Sequence, residues 1–476
     1  MLRSDFPLAP LQERMLDYLD SDPKAKLFAT QGARKTQTVL CHIETHGFKR
    51  PLIICLKDNI KTWSDEMEKW LPNPQYTQVR GTAATKRKRI EAHLKSDTKK
   101  YLIMGYDTAK PSSLYKDGEI VDGKKNKKME NFLRRKANEF DIVVFDESCE
   151  ISKHTSARFK SLYKIARDIP NRIVMDGDPT AEGLDKVFSQ FWMADDGATF
   201  GTAYYKFRDV FYHDIGPVFP KWVLRPGAVA KMGKILRTKA FVVTEKDLDK
   251  EIGLPSRNHE VIYPEMTAEQ SMHYKRMKKE FATKVEDLDI EVSYIMEQIT
   301  KLRQILGGFI YTKEGTKRLL GVKERVLRKL VRRHQSSQIV VWCAYTEEIH
   351  IVYDILKHAG RNPVKYYGDV SNKAKDEAKD GFNSGTYSDI VCQGGCGVGL
   401  NEFVVADTMI YYSNTDRRRH RSQSEKRVIR PTQKAKSVNV YDIVIPETWD
   451  ELIYTRLQDK KKTSEQLLNY KEWKLW

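Results

Sequence analysis

Short runs of β-branched and other apolar residues recur along this chain, with stretches of helical periodicity between them. In the first half the runs are Leu52–Leu56, Tyr101–Tyr106, Ile142–Phe145 and Arg172–Met175. In the second half they are Ile339–Cys343, Val364–Tyr367, Asp389–Gln393, Thr408–Tyr412 and Val438–Val444. Most are continuously apolar rather than alternating, the pattern of parallel strands covered on both faces. Such strands alternating with helices predict an α/β fold in two lobes. Between about residues 184 and 320 the pattern changes to aromatics and long helical segments. There Thr267 and Gln270 have capping-box spacing and open a helix expected to run towards Leu306. The expected division is 1–183 for the first lobe, 184–320 for helical protrusions and the connection, and 321–476 for the second lobe with a helical tail. Ser112–Lys136 reads as an insertion, with turns at Asp117-Gly118 and Asp122-Gly123. Its basic run, Lys124 to Lys128, suits a solvated loop and a DNA contact equally.

A chain of 476 residues is long enough for two or three full cores. Its 40% hydrophobic content suits a globular protein and not a disordered one. Lysine and arginine number 83 against 65 acidic residues, a net charge of +18. An excess of this size points past ordinary solvation to a polyanionic partner, because released counterions drive basic proteins onto phosphate backbones. The six cysteines form no C-x-x-C pair, and most lie in apolar runs. That argues against a zinc site or a disulfide framework and for a reducing cytoplasm. No apolar run approaches the length of a membrane span, and MLRSDFPLAP lacks the apolar core of a signal peptide.

Four segments carry candidate chemistry. Ala29-Thr30-Gln31-Gly32-Ala33-Arg34-Lys35-Thr36 precedes the apolar helix start Val39-Leu40 and has the form of a Walker A loop. Backbone N–H groups of Gly32, Ala33 and Arg34 would cradle phosphates, Lys35 would reach the β/γ phosphates, and Thr36 would hold magnesium. Taken alone, with arginine where glycine is usual, the segment reads equally well as an ordinary loop. Asp146 and Glu147 end the apolar run Ile142–Phe145, and adjacent carboxylates there are costly unless they bind something. Asp146 would hold magnesium, mostly through water, and Glu147 would orient and deprotonate an attacking water. Otherwise Asp146 is the N-cap of a following helix. In the second lobe Arg427 and Arg430 stand three apart, and on one helical face they could reach a phosphate together. By spacing alone, however, they read as part of a basic surface helix. The glycines from Gly394 to Gly399 permit a close backbone approach to a ligand, or simply a flexible loop.

In order, these segments resemble the superfamily-two helicases, and specifically the Swi/Snf-type DNA translocases. Pro10-Leu11-Gln12 looks like the adenine-reading glutamine motif, and Trp63-Ser64-Asp65-Glu66-Met67-Glu68-Lys69-Trp70 like the W-x-x-E-x-x-K-W helix. Here Ile60, Trp63, Met67 and Trp70 also fit an amphipathic core face, so the tryptophans read as structural. Asp146-Glu147-Ser148-Cys149 stands for the DEAH box, with Lys153 after it, and Gly177-Asp178-Pro179 sits where the family has G-T-P. Leu236–Lys239 resembles the segment joining the lobes, and Leu302–Ile305 the L-R-Q stretch. Gly395–Asn401 resembles A-G-G-x-G-L-N, and Gln423–Gln433 the Q-x-x-x-R-x-x-R-x-x-Q motif that supplies the arginine finger. The compact form is similar to the small versions carried by bacteria and their phages.

The resemblance implies two RecA-like lobes with parallel sheets flanked by helices, plus helical protrusions between them. It implies ATP and Mg2+ in a cleft, with Gln12 on adenine, Gly399 near the nucleotide, and Glu147, Arg427 and Arg430 catalytic. It implies a cytoplasmic, monomeric motor on DNA, duplex favoured, with no membrane partner. A strand-separating DNA or RNA helicase and a nucleic-acid-binding protein with a decayed ATPase are the alternatives. The second draws on the departures: Arg34 for a loop glycine, Cys149 for histidine, Asp176 and Asp178 for hydroxyl residues, Lys426 and Ile429 for aspartate and histidine.

Overall fold

A computed structural model describes residues 3–96, 100–110, 114, 120–121, 124–125, 132–216, 220–286, 292–312, 314–397 and 403–468. It divides into two compact units, Met1–Ile252 with the residues from Lys462, and Gly253–Lys461. Each is built on a parallel sheet with helices on its faces.

In the first unit β1 (Lys24–Ala29), β2 (Pro51–Cys55), β3 (Tyr76–Val79), β4 (Tyr101–Gly105), β7 (Ile142–Asp146), β8 (Asn171–Asp176) and β11 (Phe241–Val243) form one sheet. Two hairpins lie outside it: β5 (Ile120–Val121) with β6 (Lys124–Lys125), and β9 (Tyr212–Asp214) with β10 (Trp222–Leu224). The sheet order is β11-β1-β8-β7-β2-β4-β3, every pairing parallel. The insertion thus keeps a short hairpin, while Asp117-Gly118, Asp122-Gly123 and Asn126–Lys128 lie outside the described residues. Parallel neighbours require crossovers, and helices α1 (Pro10–Ser21), α2 (Lys35–Thr45) and α3 (Asn59–Trp70) are among the helices that cover the sheet. Both faces of β2 and β4 are buried, which is why their sequences run apolar without alternation.

In the second unit the order is β12-β19-β18-β15-β17-β16, again all parallel. These are β12 (Ser256–Ile262), β15 (Ile339–Cys343), β16 (Pro363–Tyr366), β17 (Asp389–Gln393), β18 (Thr408–Tyr411) and β19 (Ser437–Ile443), with a separate hairpin of β13 (Phe309–Thr312) and β14 (Gly315–Arg318). Alternation reappears as two cores. Val341, Val391, Ile410 and Ile443 pack on one face, and Val340, Ile390, Met409 and Val440 on the other.

The segment 184–320 carries the expected helices, Lys186–Asp195, Tyr204–Phe211, Ala228–Lys239, Ala268–Glu286 and Val292–Gly307, and also β11 and β12, strands of the two main sheets. Thr267 does cap, its hydroxyl accepting from Gln270 N at 3.2 Å. The single helix expected from there to Leu306 is instead two, with 287–291 outside the described residues.

Candidate functional site

In the first sheet β1, β8 and β7 are consecutive neighbours, so their C-terminal ends release three loops side by side. Phe28 pairs with Asp176 and Met175 with Asp146, which fixes the three ends level with one another. Ligands gather at such strand ends because helix N-termini point there.

From β1 the chain enters Thr30–Arg34 and then α2, whose first residues are Lys35 and Thr36. Gly32 has φ 90° and Arg34 φ 55°, ψ 37°. The loop therefore turns through the left-handed region twice, and the second time it uses an arginine. That conformation costs a non-glycine residue roughly 1–2 kcal/mol, which accounts for glycine being the usual choice. The Arg34 side chain is exposed, so the backbone bears the penalty and nothing is crowded. Ala33 is buried, its N–H donating to Thr30 O, and Thr30 N donates to Val243 O, seating the loop on β11. Lys35 Nζ donates to Ala29 O at 2.6 Å and Thr30 O at 3.4 Å, folded back over its own loop. Arg34→Gly is expected to raise the unfolding midpoint by about 2–4 °C, from roughly 1 kcal/mol of relieved strain. A lower midpoint on a thermal melt would show the arginine to be held favourably.

Asp146 is the last residue of β7 and buried. It is not an N-cap: its Oδ2 accepts from the Trp63 indole Nε1 at 3.0 Å, and Tyr106 OH donates to its carbonyl at 2.7 Å. Burial pushes its pKa up to about 6, the Glu147 charge adds to this, and the Trp63 bond and Lys35 oppose it. Glu147 follows in the left-handed region at φ 57°, ψ 55°. Strain of this kind on a non-glycine residue is concentrated at functional sites. A third carboxylate, Asp176, ties the loops together. Its Oδ2 accepts from Cys149 N at 2.8 Å and its Oδ1 from Asp178 N at 2.9 Å. Ser148 Oγ donates to Gln190 Oε1 at 2.6 Å, and Gln190 Nε2 donates to Pro179 O at 2.9 Å. Gly177 lies against the phosphate-type loop, where an added Cβ would stand 3.4 Å from Gln31 Cγ.

Two of these partners are not legible as functional in the sequence. Trp63 has 1% exposure, so its assignment to the core face is right, but its N–H is also the hydrogen-bond donor to Asp146. Trp63→Phe should keep the fold and raise the Asp146 pKa further above about 6 in nucleotide-free protein, because a donor to the charged form is lost. Carboxyl NMR titration checks this, and an unchanged or lower value would count against it. Asp176 stands out in the sequence only as a departure from the family pattern, whereas it is the acceptor that joins the two loops.

Gln12, on α1, is buried. Its oxygen accepts from Ala9 N at 3.1 Å and its Nε2 donates to Gln37 Oε1 at 2.9 Å, placing it beside α2.

In the second unit Arg427 lies in the helix Arg418–Val428, and Arg430 follows the helix end, beyond Ile429 at φ −86°, ψ 95°. The two therefore do not share a helical face. Nor is this a basic surface helix: Arg418, Arg421, Gln423, Glu425 and Arg427 are all buried. Arg421 donates to Asp442 at 2.6 and 2.8 Å and to Glu425 at 2.6 Å, and lies 3.3 Å over the Tyr411 ring. Burial opposes ionisation of Asp442, yet Arg421 and its hydrogen bonds hold its pKa down at about 2. A buried arginine needs such partners. At Gly394 a Cβ would meet Thr415 Cγ2 at 2.5 Å, so a larger residue there would have to displace the Thr415 side chain. Gly399 lies outside the described residues.

The first unit's residues fit a magnesium–phosphate group. A helix N-terminus and an ammonium stand with the buried Asp146 carboxylate, whose pKa burial and then the neighbouring Glu147 charge push up to about 6, so a cation bound there would favour its charged form.

Residues 26–308 match the SNF2-related domain, and residues 322–432 the helicase conserved C-terminal domain. The chain is 23% identical over 486 residues to putative protein p41 of Acyrthosiphon pisum secondary endosymbiont phage 1, covering 97% of this chain and 98% of that one. It is 22% identical to the DNA repair and recombination protein RDH54 of Saccharomyces cerevisiae strain S288c, across 89% of this chain but only 45% of the yeast protein. The Sulfolobus solfataricus SWI2/SNF2 ATPase core, solved in complex with dsDNA, is similar at 16% identity and a TM-score of 0.43, over 98% of this chain and 94% of that one. With the SNF2-related domain spanning more than half its length, this chain belongs to the SNF2-related family of helicase-like proteins.

Proposed function

We propose that this chain hydrolyses ATP with Mg2+ and uses the energy to move along duplex DNA. The observation that supports this most is the level release of three loops by β1, β8 and β7, bringing Lys35, Asp146, Glu147 and Asp176 to one sheet edge in an SNF2-related chain. The backbone of Gly32, Ala33 and Arg34 holds phosphate oxygens, and Lys35 leaves Ala29 O and Thr30 O to join them. Thr36 and Asp146 hold magnesium, which when bound neutralises charge developing on the phosphates. Glu147 orients the attacking water and takes its proton. Gln12 reads adenine by exchanging its bonds to Ala9 and Gln37, and Gly399 belongs to the nucleotide-binding set. Arg427 and Arg430 of the second unit stabilise the transition-state charge. Asp176, through Cys149 N and Asp178 N, passes the state of the nucleotide site to the loop after β8.

The net charge of +18 supports a nucleic acid as the track, and the name of the yeast relative supports DNA. The protein works as a monomer in the cytoplasm. Phosphate release should be weak alone and rise several-fold or more with duplex DNA. Equal stimulation by single-stranded RNA with none by duplex would overturn the choice of track.

A further inference from the structure

The helix that starts at the phosphate loop carries a second cluster at its other end. Asp20 lies near the end of α1, and His42 and His46 stand four apart at the end of α2. Asp20 Oδ1 is 2.7 Å from His42 Nδ1 and 2.9 Å from His46 Nε2, and the three atoms lie within 4.8 Å of one another. The imidazole centroids are 4.6 Å apart, with Phe48 against both rings. His42 is buried, while Asp20 and His46 reach solvent.

We propose that Asp20, His42 and His46 form a zinc site that clamps the end of α2 to α1. Two imidazoles and one carboxylate are a zinc-type ligand set, and three protein ligands with a solvent-facing fourth position leave room for water. Bonds of about 2.0–2.2 Å at tetrahedral angles place ligand atoms roughly 3.3–3.6 Å apart. The present spacings open to that by small rotations of the two exposed side chains. A hard cation such as magnesium prefers an all-oxygen shell and does not suit this set.

The position gives the clamp a purpose. Gln12 meets Gln37 at 2.9 Å near the starts of α1 and α2, and Asp20 meets His42 and His46 near their ends. The two helices therefore run parallel, and eight residues of helix separate the contacts by about 12 Å. Zinc here lies apart from the nucleotide's magnesium, yet locks together the helices that carry Gln12, Lys35 and Thr36. Cysteine spacing points away from zinc because the site uses none, and Asp20 arrives only through helix packing.

The test is calorimetric titration of the chelator-treated full chain with zinc, and with cobalt followed by visible absorption. The expected result is one zinc per chain with sub-micromolar affinity, a tetrahedral cobalt spectrum, and a melting temperature raised by zinc. Asp20→Asn and His46→Ala, both at exposed positions, should each weaken binding at least tenfold while melting cooperatively in zinc-free buffer. No saturable binding at micromolar zinc, or unchanged affinity in both variants, would overturn the site.

Discussion

Glu147→Gln is expected to bind ATP like the natural protein and to hydrolyse it about a hundredfold to ten-thousandfold more slowly. The amide keeps the shape of the carboxylate but cannot accept the proton of the attacking water. Glutamine meets the same backbone demand at φ 57°, so the loop after β7 should hold its course. The substitution also removes the charge that helps to push Asp146 up to about 6, so the Asp146 pKa should fall towards the ordinary carboxylate range. Nucleotide binding by calorimetry and single-turnover phosphate release separate the two effects. Near-natural turnover would take Glu147 out of the mechanism.

Arg430→Ala is expected to lower hydrolysis by about a thousandfold with little change in ATP affinity, since an arginine finger acts on transition-state charge. The structure also predicts how it should differ from its neighbour. Arg427 is buried within the helix Arg418–Val428, whereas Arg430 stands in the turn beyond it, with Gln433 N donating to its carbonyl at 3.0 Å. Gln433 Nε2 donates to Val428 O and Ala406 O, which ties that turn back to the helix end and to the loop before β18. Arg427→Ala should therefore lower stability as well as turnover, and Arg430→Ala should lower turnover more than stability. If Arg430→Ala turned over normally while Arg427→Ala failed with an unchanged melt, the finger would be Arg427.

The central strands were legible because burial on both faces leaves an unmistakable apolar run, as in Ile142–Phe145 and Ile339–Cys343. Strands with another pattern escaped. β1 begins Lys24-Ala25-Lys26, and the buried Lys26 is tolerated because it pairs with Asp195 at 3.5 Å and Asp22 at 3.7 Å. β12, Ser256–Ile262, is a partly exposed edge strand with little apolar content. The helix Arg418–Val428 misled for the opposite reason. Charge there signals burial, because Arg421 pairs with Glu425 one turn along the same helix and with Asp442, which comes from a distant strand that local composition cannot see. In the site, the residues that announce themselves by local spacing, Lys35, Asp146 and Glu147, were readable. Trp63 reaches Asp146, and Asp176 reaches Cys149, by hydrogen bonds across the fold, and no local pattern encodes those.

Arg34 is where the two readings of this chain part, since a left-handed arginine in the candidate phosphate loop leads either to a working motor or to a decayed one. The deciding measurement is duplex-stimulated phosphate release by the natural protein beside Lys35→Ala and Arg34→Gly. The natural protein should hydrolyse ATP at a rate comparable to Arg34→Gly, and Lys35→Ala should fall to background, because the exposed Arg34 side chain strains the backbone without blocking the ligand. A natural protein as inactive as Lys35→Ala, with turnover appearing only in Arg34→Gly, would contradict the account and leave a nucleic-acid-binding protein with a broken loop.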